Sequence, residues 1–151
     1  MKVGQTIENF TAEDQFSNTV ELDALLKEGP VVLFFYPRAM TPLCTKQSCH
    51  FRDLKNDFAA AQSHVIGVSG DQASDQKKFD SINNLGIPLI TDTDHKLAKQ
   101  FGVKRFGPLG VKRSTFVISQ TSKLLGSYFS EIKAHEHADW ALELLKNNSN
   151  K

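Results

Sequence analysis

Both cysteines of this 151-residue chain lie in one stretch, YPRAMTPLCTKQSCHFRD, from Tyr36 to Asp53, five positions apart. Two close thiols can serve as redox partners, as soft metal ligands or as small apolar fillers of a core. They cannot make the disulfide framework of a secreted miniprotein, and a close pair is more often catalytic or metal-binding. The neighbouring residues favour redox use. Thr41 and Pro42 read as N-cap and N1 of a helix, which sets Leu43 at N2 and Cys44 at N3. Unpaired N–H groups and the positive dipole end favour an anion in a first turn, and the thiolate is the reactive form of cysteine. Arg38, and any arginine arriving from elsewhere in the fold, would act in the same direction. Cys44 is the candidate nucleophile.

Cys49 stands five residues further on. An unbroken helix would hold the two Cα atoms about 8–9 Å apart, whereas a disulfide needs less than about 7 Å. The pair cannot bond while the helix is intact, so any bond between them requires this turn to unwind. A static structural disulfide is disfavoured.

The elements that must position these residues alternate in period. GPVVLFFYP is a continuous apolar run flanked by prolines, as expected of a strand buried on both faces. SHVIGVSG and RSTFVIS repeat the pattern, IPLITD fits a shorter strand, and KLLGSYFSE suits a neighbour or hairpin partner of RSTFVIS. Between them, helical spacing links Cys44 to Phe51, Leu54, Lys55 and Phe58, then Phe79 to Ile82 and Leu85, Leu97 to Phe101, and Ala138 to Ala141, Leu142 and Leu145. Strands alternating with helices predict an α/β fold with a central, mostly parallel sheet, about five strands and about four helices on both faces. FTAEDQFSNTVELDALL reads as an added N-terminal hairpin or edge piece. The cysteines then follow the C-terminal end of the first buried strand, where open α/β sheets assemble ligand sites.

Composition narrows the partners. With 18 basic and 17 acidic residues the net charge is +1, so no global field recruits nucleic acid or an anionic membrane surface. The polar start MKVGQTIENFTAEDQF carries no apolar segment, and the chain is expected to be cytoplasmic. Residues 1–151 are expected to form one domain, with the tail KNNSNK frayed.

FFYPRAMTPLCTKQSCHFRD resembles the active-site segment of the peroxiredoxins, in particular the Q-type or bacterioferritin co-migratory protein group, with its Pro-x-x-x-Thr-x-x-Cys pattern and a second cysteine five residues on. VIGVSGDQASDQKKFDSINNLGIPLITDTDHKLAKQFGV resembles the middle segment of that family, and GVKRSTFVIS the segment carrying its active-site arginine. The resemblance covers Val3 to about Leu145. It implies a thioredoxin-like fold and a thiol peroxidase acting on hydrogen peroxide and organic hydroperoxides, with no cofactor and no metal. It implies that Pro37 shields the cysteine, Thr41 hydrogen-bonds the peroxide and Cys44 attacks it. Arg113 would hold thiolate and peroxide, Cys49 would resolve the sulfenic acid through a disulfide, and a thioredoxin-like reductant would restore the dithiol. The group is often monomeric, so a monomer is expected. Two departures stand out: Gln47 replaces a frequent glutamate three positions after the peroxidatic cysteine, keeping a hydrogen-bonding arm without the charge, and Ser119 replaces a frequent aspartate.

Blander readings compete at several positions. Pro37 could simply end a strand, and Arg38 could be a surface charge. Gln47 is placed on the exposed side of the helix, with a possible supporting role toward substrate. The five histidines (His50, His64, His95, His135, His137) have no ligand spacing, and HEH at 135–137 reads as a capping and surface feature. The loop from Phe106 to Val111 is expected to border the pocket. The rival function is a copper-binding protein of thioredoxin-like fold, with His135 or His137 as third ligand. Such proteins space their cysteines by three residues and are usually membrane-tethered. A general disulfide oxidoreductase would want C-x-x-C.

Overall fold

The computed structural model describes residues 1–149. Its centre is the run that the sequence marks as buried on both faces. Among the seven strands of the described residues this is β3 (Val31–Phe35), and all five of its residues are buried. Hydrogen bonds tie it on one side to β4 (His64–Ser69), in parallel, with Phe35 opposite Val68. On the other side it pairs antiparallel with β6 (Ser114–Ile118), Phe35 opposite Ser114. Beyond β4 lies β5 (Leu89–Thr91), and beyond β6 lies β7 (Leu124–Phe129), giving the order β5-β4-β3-β6-β7. Only β6 runs against the other four strands. The sheet is therefore mixed and mostly parallel, and RSTFVIS and KLLGSYFSE do form a hairpin. A second, two-stranded sheet, β1 (Thr11–Glu13) with β2 (Thr19–Glu21), is the N-terminal hairpin.

Alternation along β3 divides the core. Val31, Leu33 and Phe35 pack with Ile66, Val68, Ile90, Phe101 and Phe116 on one face. That face also takes Leu22 and Leu26 of α1 (Leu22–Leu26) and Leu97 of α5 (Lys96–Gln100). Val32, Phe34 and Tyr36 face the other way, toward α2 (Pro42–Asp53), α3 (Lys55–Ala60), α4 (Ala73–Asn83) and α6 (Glu136–Ser149). The helix carrying both cysteines is fastened to this second face by aromatic stacking: Phe34 and Phe51 ring centroids are 4.2 Å apart, and Phe51 and Phe58 5.7 Å.

Some expectations differ. There are six α-helices rather than four among the described residues, because the run from Cys44 to Phe58 breaks at Leu54 (φ −94°, ψ 13°) and short α1 adds one more. Ile82 is exposed despite its spacing, and Leu85 enters the core only after α4 has ended at left-handed Asn84 (φ 50°). The tail is helical through Ser149, since α6 packs Ala138, Ala141, Leu142 and Leu145 onto the sheet; Asn150 and Lys151 lie outside the described residues. Among the described residues no helix is long and apolar enough to cross a membrane.

Because Phe51 is the rivet between α2 and β3, Phe51→Ala is expected to cost about 3–5 kcal/mol of unfolding free energy by urea titration. A loss below about 1 kcal/mol would show that α2 is held by other contacts.

Candidate active site

Where β3 ends, the chain must turn sharply into α2, and the turn is pinned from behind. The Tyr36 N–H donates to Val68 O at 3.0 Å, extending the β3–β4 ladder by one residue. The buried Tyr36 hydroxyl donates to Gln76 Oε1 at 2.5 Å, and burial pushes the phenol far above its ordinary range. Gln76 Nε2 in turn donates to Ser69 Oγ (2.9 Å) and Ile90 O (3.1 Å), and Ser69 Oγ donates to Asp71 Oδ2 (2.6 Å). That same carboxylate oxygen accepts the Ala39 N–H at 2.7 Å. The next residue, Met40, sits in the left-handed region (φ 70°), which a non-glycine residue adopts at a cost and only where its surroundings enforce it.

Thr41 occupies the N-cap and Pro42 the first helical position, as read from the sequence. The side chain does not cap, however. Its hydroxyl donates to Arg38 O at 2.7 Å, because the left-handed step at Met40 folds that carbonyl back toward it. Cys44 falls in the first turn with 1% of its surface exposed. Pro37 is half-buried and Arg38 exposed. Across from Pro37 passes the loop that contains the short turn Gly107–Leu109: a Cβ built on Gly110 (φ 76°) would come within 3.8 Å of Pro37 O, so this loop does border the site, with Phe106 and Leu109 on its outside.

The register of β6 on β3 carries Arg113 to the same place. Ser114 lies opposite Phe35, so the residue before it is set at the mouth of the β3–α2 turn. Arg113 is 4% exposed, and its Nη1 donates to Cys44 Sγ at 3.3 Å and to Gln47 Oε1 at 2.7 Å, while its Nε donates to Glu131 O at 3.2 Å. A guanidinium at that distance stabilises negative charge on the sulfur. Its partners are an amide oxygen, a carbonyl and a thiol, and of these only the thiol can become an anion.

Gln47 is not on the exposed side of the helix. It is fully buried, because the inner stripe of α2 is Cys44, Gln47, Ser48 and Phe51, an i, i+3, i+4, i+7 set whose middle members happen to be polar. Its oxygen is taken by Arg113, but Gln47 Nε2 and Ser48 Oγ are buried with no hydrogen-bond partner among the described residues. Cys49 looks another way. It is half-buried, its Sγ lies 3.8 Å from Asn83 Oδ1 at the end of α4, and both cysteines are free thiols. Arg52 Nη1 donates to Asn83 O at 2.6 Å, fastening the same end of α2 to α4.

His137 also departs from the surface role read for it. It is fully buried, its Nε2–H donates to Ser130 O at 2.9 Å, and its Nδ1 then accepts from Thr115 Oγ1 at 2.8 Å. His135 is exposed. Among the described residues no three His, Cys, Asp or Glu side chains gather as a metal site. Glu131 and Asn83 are site neighbours that the sequence did not single out, and His137 was read there only as a surface feature or a rival copper ligand. They belong to segments distant in the chain, and no local pattern links them to Cys44.

A thiol in the first turn of a helix, beside a buried guanidinium on this five-stranded mixed sheet, defines a thioredoxin-fold thiol enzyme. Comparison with known proteins narrows that class. The AhpC/TSA family model matches residues 3–126. Peroxiredoxin Bcp of Bacillus subtilis is 36% identical over 157 residues, with 100% of this chain and 99% of that one covered. The chloroplastic peroxiredoxin Q of Populus jackii is 37% identical over 145 residues, covering 95% and 67%. The crystal structure of peroxidoxin BcpB from Mycobacterium tuberculosis superposes with a TM-score of 0.93 at 45% identity, covering 97% of each chain. The chain belongs to the AhpC/TSA family, with its similarity to the Bcp and Q peroxiredoxins, and is a peroxidase of the oxidoreductase class.

Desolvation holds the His137 imidazole below its ordinary value of 6.5, and the nearby Arg113 charge adds to the lowering against the raising effect of the Ser130 carbonyl. A base with a depressed folded value binds fewer protons folded than unfolded, so the stability it supports is full above 6.5 and is lost as pH falls below that value toward the folded one. The unfolding free energy of the native sequence should therefore fall more steeply below pH 6.5 than that of His137→Gln. Parallel pH curves for the two proteins would contradict this.

Proposed function

We propose that Cys44 is the sulfur that attacks peroxide and that Cys49 resolves the product. The observation that carries the reading is the 3.3 Å contact between Arg113 Nη1 and Cys44 Sγ. In the first step the Cys44 thiolate takes the terminal oxygen of a hydroperoxide. The O–O bond breaks, the leaving alkoxide or hydroxide takes up a proton, and Cys44 becomes a sulfenic acid. Charge grows on the departing oxygen, where the Arg113 fork, the first-turn N–H groups of α2 and the Thr41 hydroxyl supply donors. For Thr41 to serve, its hydroxyl must leave Arg38 O, a rotation about one side-chain bond. Pro37 and the loop at Gly110 limit the approach of water to the sulfur.

In the second step the Cys49 thiol attacks the sulfenic sulfur, water leaves, and a Cys44–Cys49 disulfide forms. A thioredoxin-like dithiol then reduces it by exchange. Rapid capture matters because oxidation beyond the sulfenic acid is largely irreversible. The turns between the two cysteines must open, and two features of α2 support this. Among the described residues Gln47 Nε2 and Ser48 Oγ find no hydrogen-bond partner in the folded helix, each at a cost of about 1–3 kcal/mol, which exposure to water would relieve. Against them stand the Phe51 stack and the Arg52–Asn83 bond, which restore the helix after reduction.

Intact-mass measurement after one equivalent of hydrogen peroxide tests the assignment. The native sequence should end two hydrogens lighter with no free thiol, Cys49→Ser should end one oxygen heavier on Cys44 and lose turnover with a thioredoxin-like reductant, and Cys44→Ser should not react. Full sustained turnover by Cys49→Ser would remove Cys49 from its role. A further consequence concerns Ser48. Replacing it with alanine removes one orphaned hydroxyl, so Ser48→Ala should stabilise the reduced protein and slow disulfide formation without changing the first oxidation. A faster disulfide step in that variant would show that helix opening is not what Ser48 promotes.

A further inference from the structure

The charged groups behind Arg113 form an arrangement that the reaction scheme above does not use. Glu131, in the connection between β7 and α6, meets Arg113 at both ends. Its backbone carbonyl accepts from Arg113 Nε at 3.2 Å, and its Oε1 accepts from the Arg113 backbone N–H at 3.2 Å. The same Oε1 pairs with Arg105 Nη2. Arg105 is held in place by its own N–H, which donates to Gly110 O at 2.8 Å across the loop bordering Pro37. The segment carrying Glu131 is fixed from below by His137, through Ser130 O, and by the Ser130 N–H, which donates to Arg113 O at 3.3 Å. The carboxylate of Glu131 thus lies against the backbone of Arg113 and the guanidinium of Arg105, while the Arg113 side chain donates to Cys44 Sγ, Gln47 Oε1 and the Glu131 carbonyl.

We propose that Glu131 is a positioning residue for Arg113, and that Arg105 is the counter-ion which keeps the Glu131 carboxylate from competing with Cys44 for the Arg113 guanidinium. The two arginines and one carboxylate leave a single net positive charge, and the geometry delivers it to the sulfur. Gln47 completes the logic: the polar neighbour of Arg113 on the cysteine side is neutral, so no second carboxylate draws on that charge. Removing Arg105 leaves Glu131 an unpaired anion whose Oε1 already lies 3.2 Å from the Arg113 backbone nitrogen, and an opposite charge captured by that guanidinium is charge withdrawn from Cys44. Removing the charge of Glu131 as well should undo the damage. Glutamine keeps an oxygen to accept the Arg113 N–H.

The inference rests on Cys44 being the reacting thiol, and the test separates the two. The second-order rate of Cys44 oxidation by hydrogen peroxide, and the pH profile of its alkylation by iodoacetamide, are measured for Arg105→Gln, Glu131→Gln and the double variant, all in a Cys49→Ser background. Arg105→Gln should react on the order of tenfold more slowly and shift its alkylation profile to higher pH. Glu131→Gln and the double variant should both stay within about threefold of the background protein. A merely structural role predicts slower reaction in Arg105→Gln with an unshifted alkylation profile, because disturbing the loop does not draw charge from the sulfur, and that result too would overturn the inference. The inference is overturned if Arg105→Gln matches the background, or if the double variant is as slow as Arg105→Gln. Peroxide consumption that survives Cys44→Ser would instead sink the assignment of Cys44, and the inference with it.

Discussion

Arg113 is a buried cation, and what surrounds it dictates the rest of the site. A charge removed from water is costly unless its hydrogen-bonding capacity is met and an opposite charge stands near. The guanidinium is satisfied by the Glu131 carbonyl, the Gln47 amide oxygen and the Cys44 sulfur, in that set a single group able to carry negative charge. Cation and sulfur therefore support each other. The sulfur sits between two groups that favour negative charge, the fork of Arg113 and the first turn of α2. The sheet makes this possible, because β6 beside β3 in antiparallel register puts the residue before β6 at the mouth of the turn after β3.

The helix bearing both cysteines is built under opposing demands. It must hold Cys44 against Arg113, so it is stacked on the sheet through Phe51 and tied to α4 through Arg52 and Asn83. The proposed chemistry also asks it to open, and its inner stripe contains Gln47 and Ser48 where apolar residues would pack better. The break at Leu54 is part of the same design: opening α2 need not disturb α3, which keeps Phe58 in the core. A helix with a uniform apolar stripe would be more stable and less able to bring its two sulfurs together.

Local patterns in the chain carried much of this. The apolar runs marked the central strands, the Thr-Pro pair marked the start of α2, and the spacing of the cysteines excluded a bond across an intact helix. Arg113 could be named only through the likeness of GVKRSTFVIS to a family segment, since an arginine before a strand is ordinarily a solvated charge. Errors arose where tertiary contacts overrode local preference. Thr41 has the type and position of a capping residue, but left-handed Met40 gives its hydroxyl a nearer acceptor. Gln47 and His137 look like surface residues by type, yet the partners that make their burial tolerable, Arg113, Thr115 and the Ser130 carbonyl, come from remote strands and loops. Glu131 and Arg105, 26 positions apart, gave no local signal at all.

The account depends on a fork-shaped cation at position 113, not on positive charge alone, and Arg113→Lys tests it most directly. Lysine keeps the charge but cannot reach the sulfur, the Gln47 oxygen and the Glu131 carbonyl together. With the fold verified by circular dichroism, stopped-flow measurement of the first oxidation of Cys44 should show a fall of about 10²–10³ in second-order rate. A lysine variant within about twofold of the native rate would contradict the claim that the geometry of this contact activates the thiol.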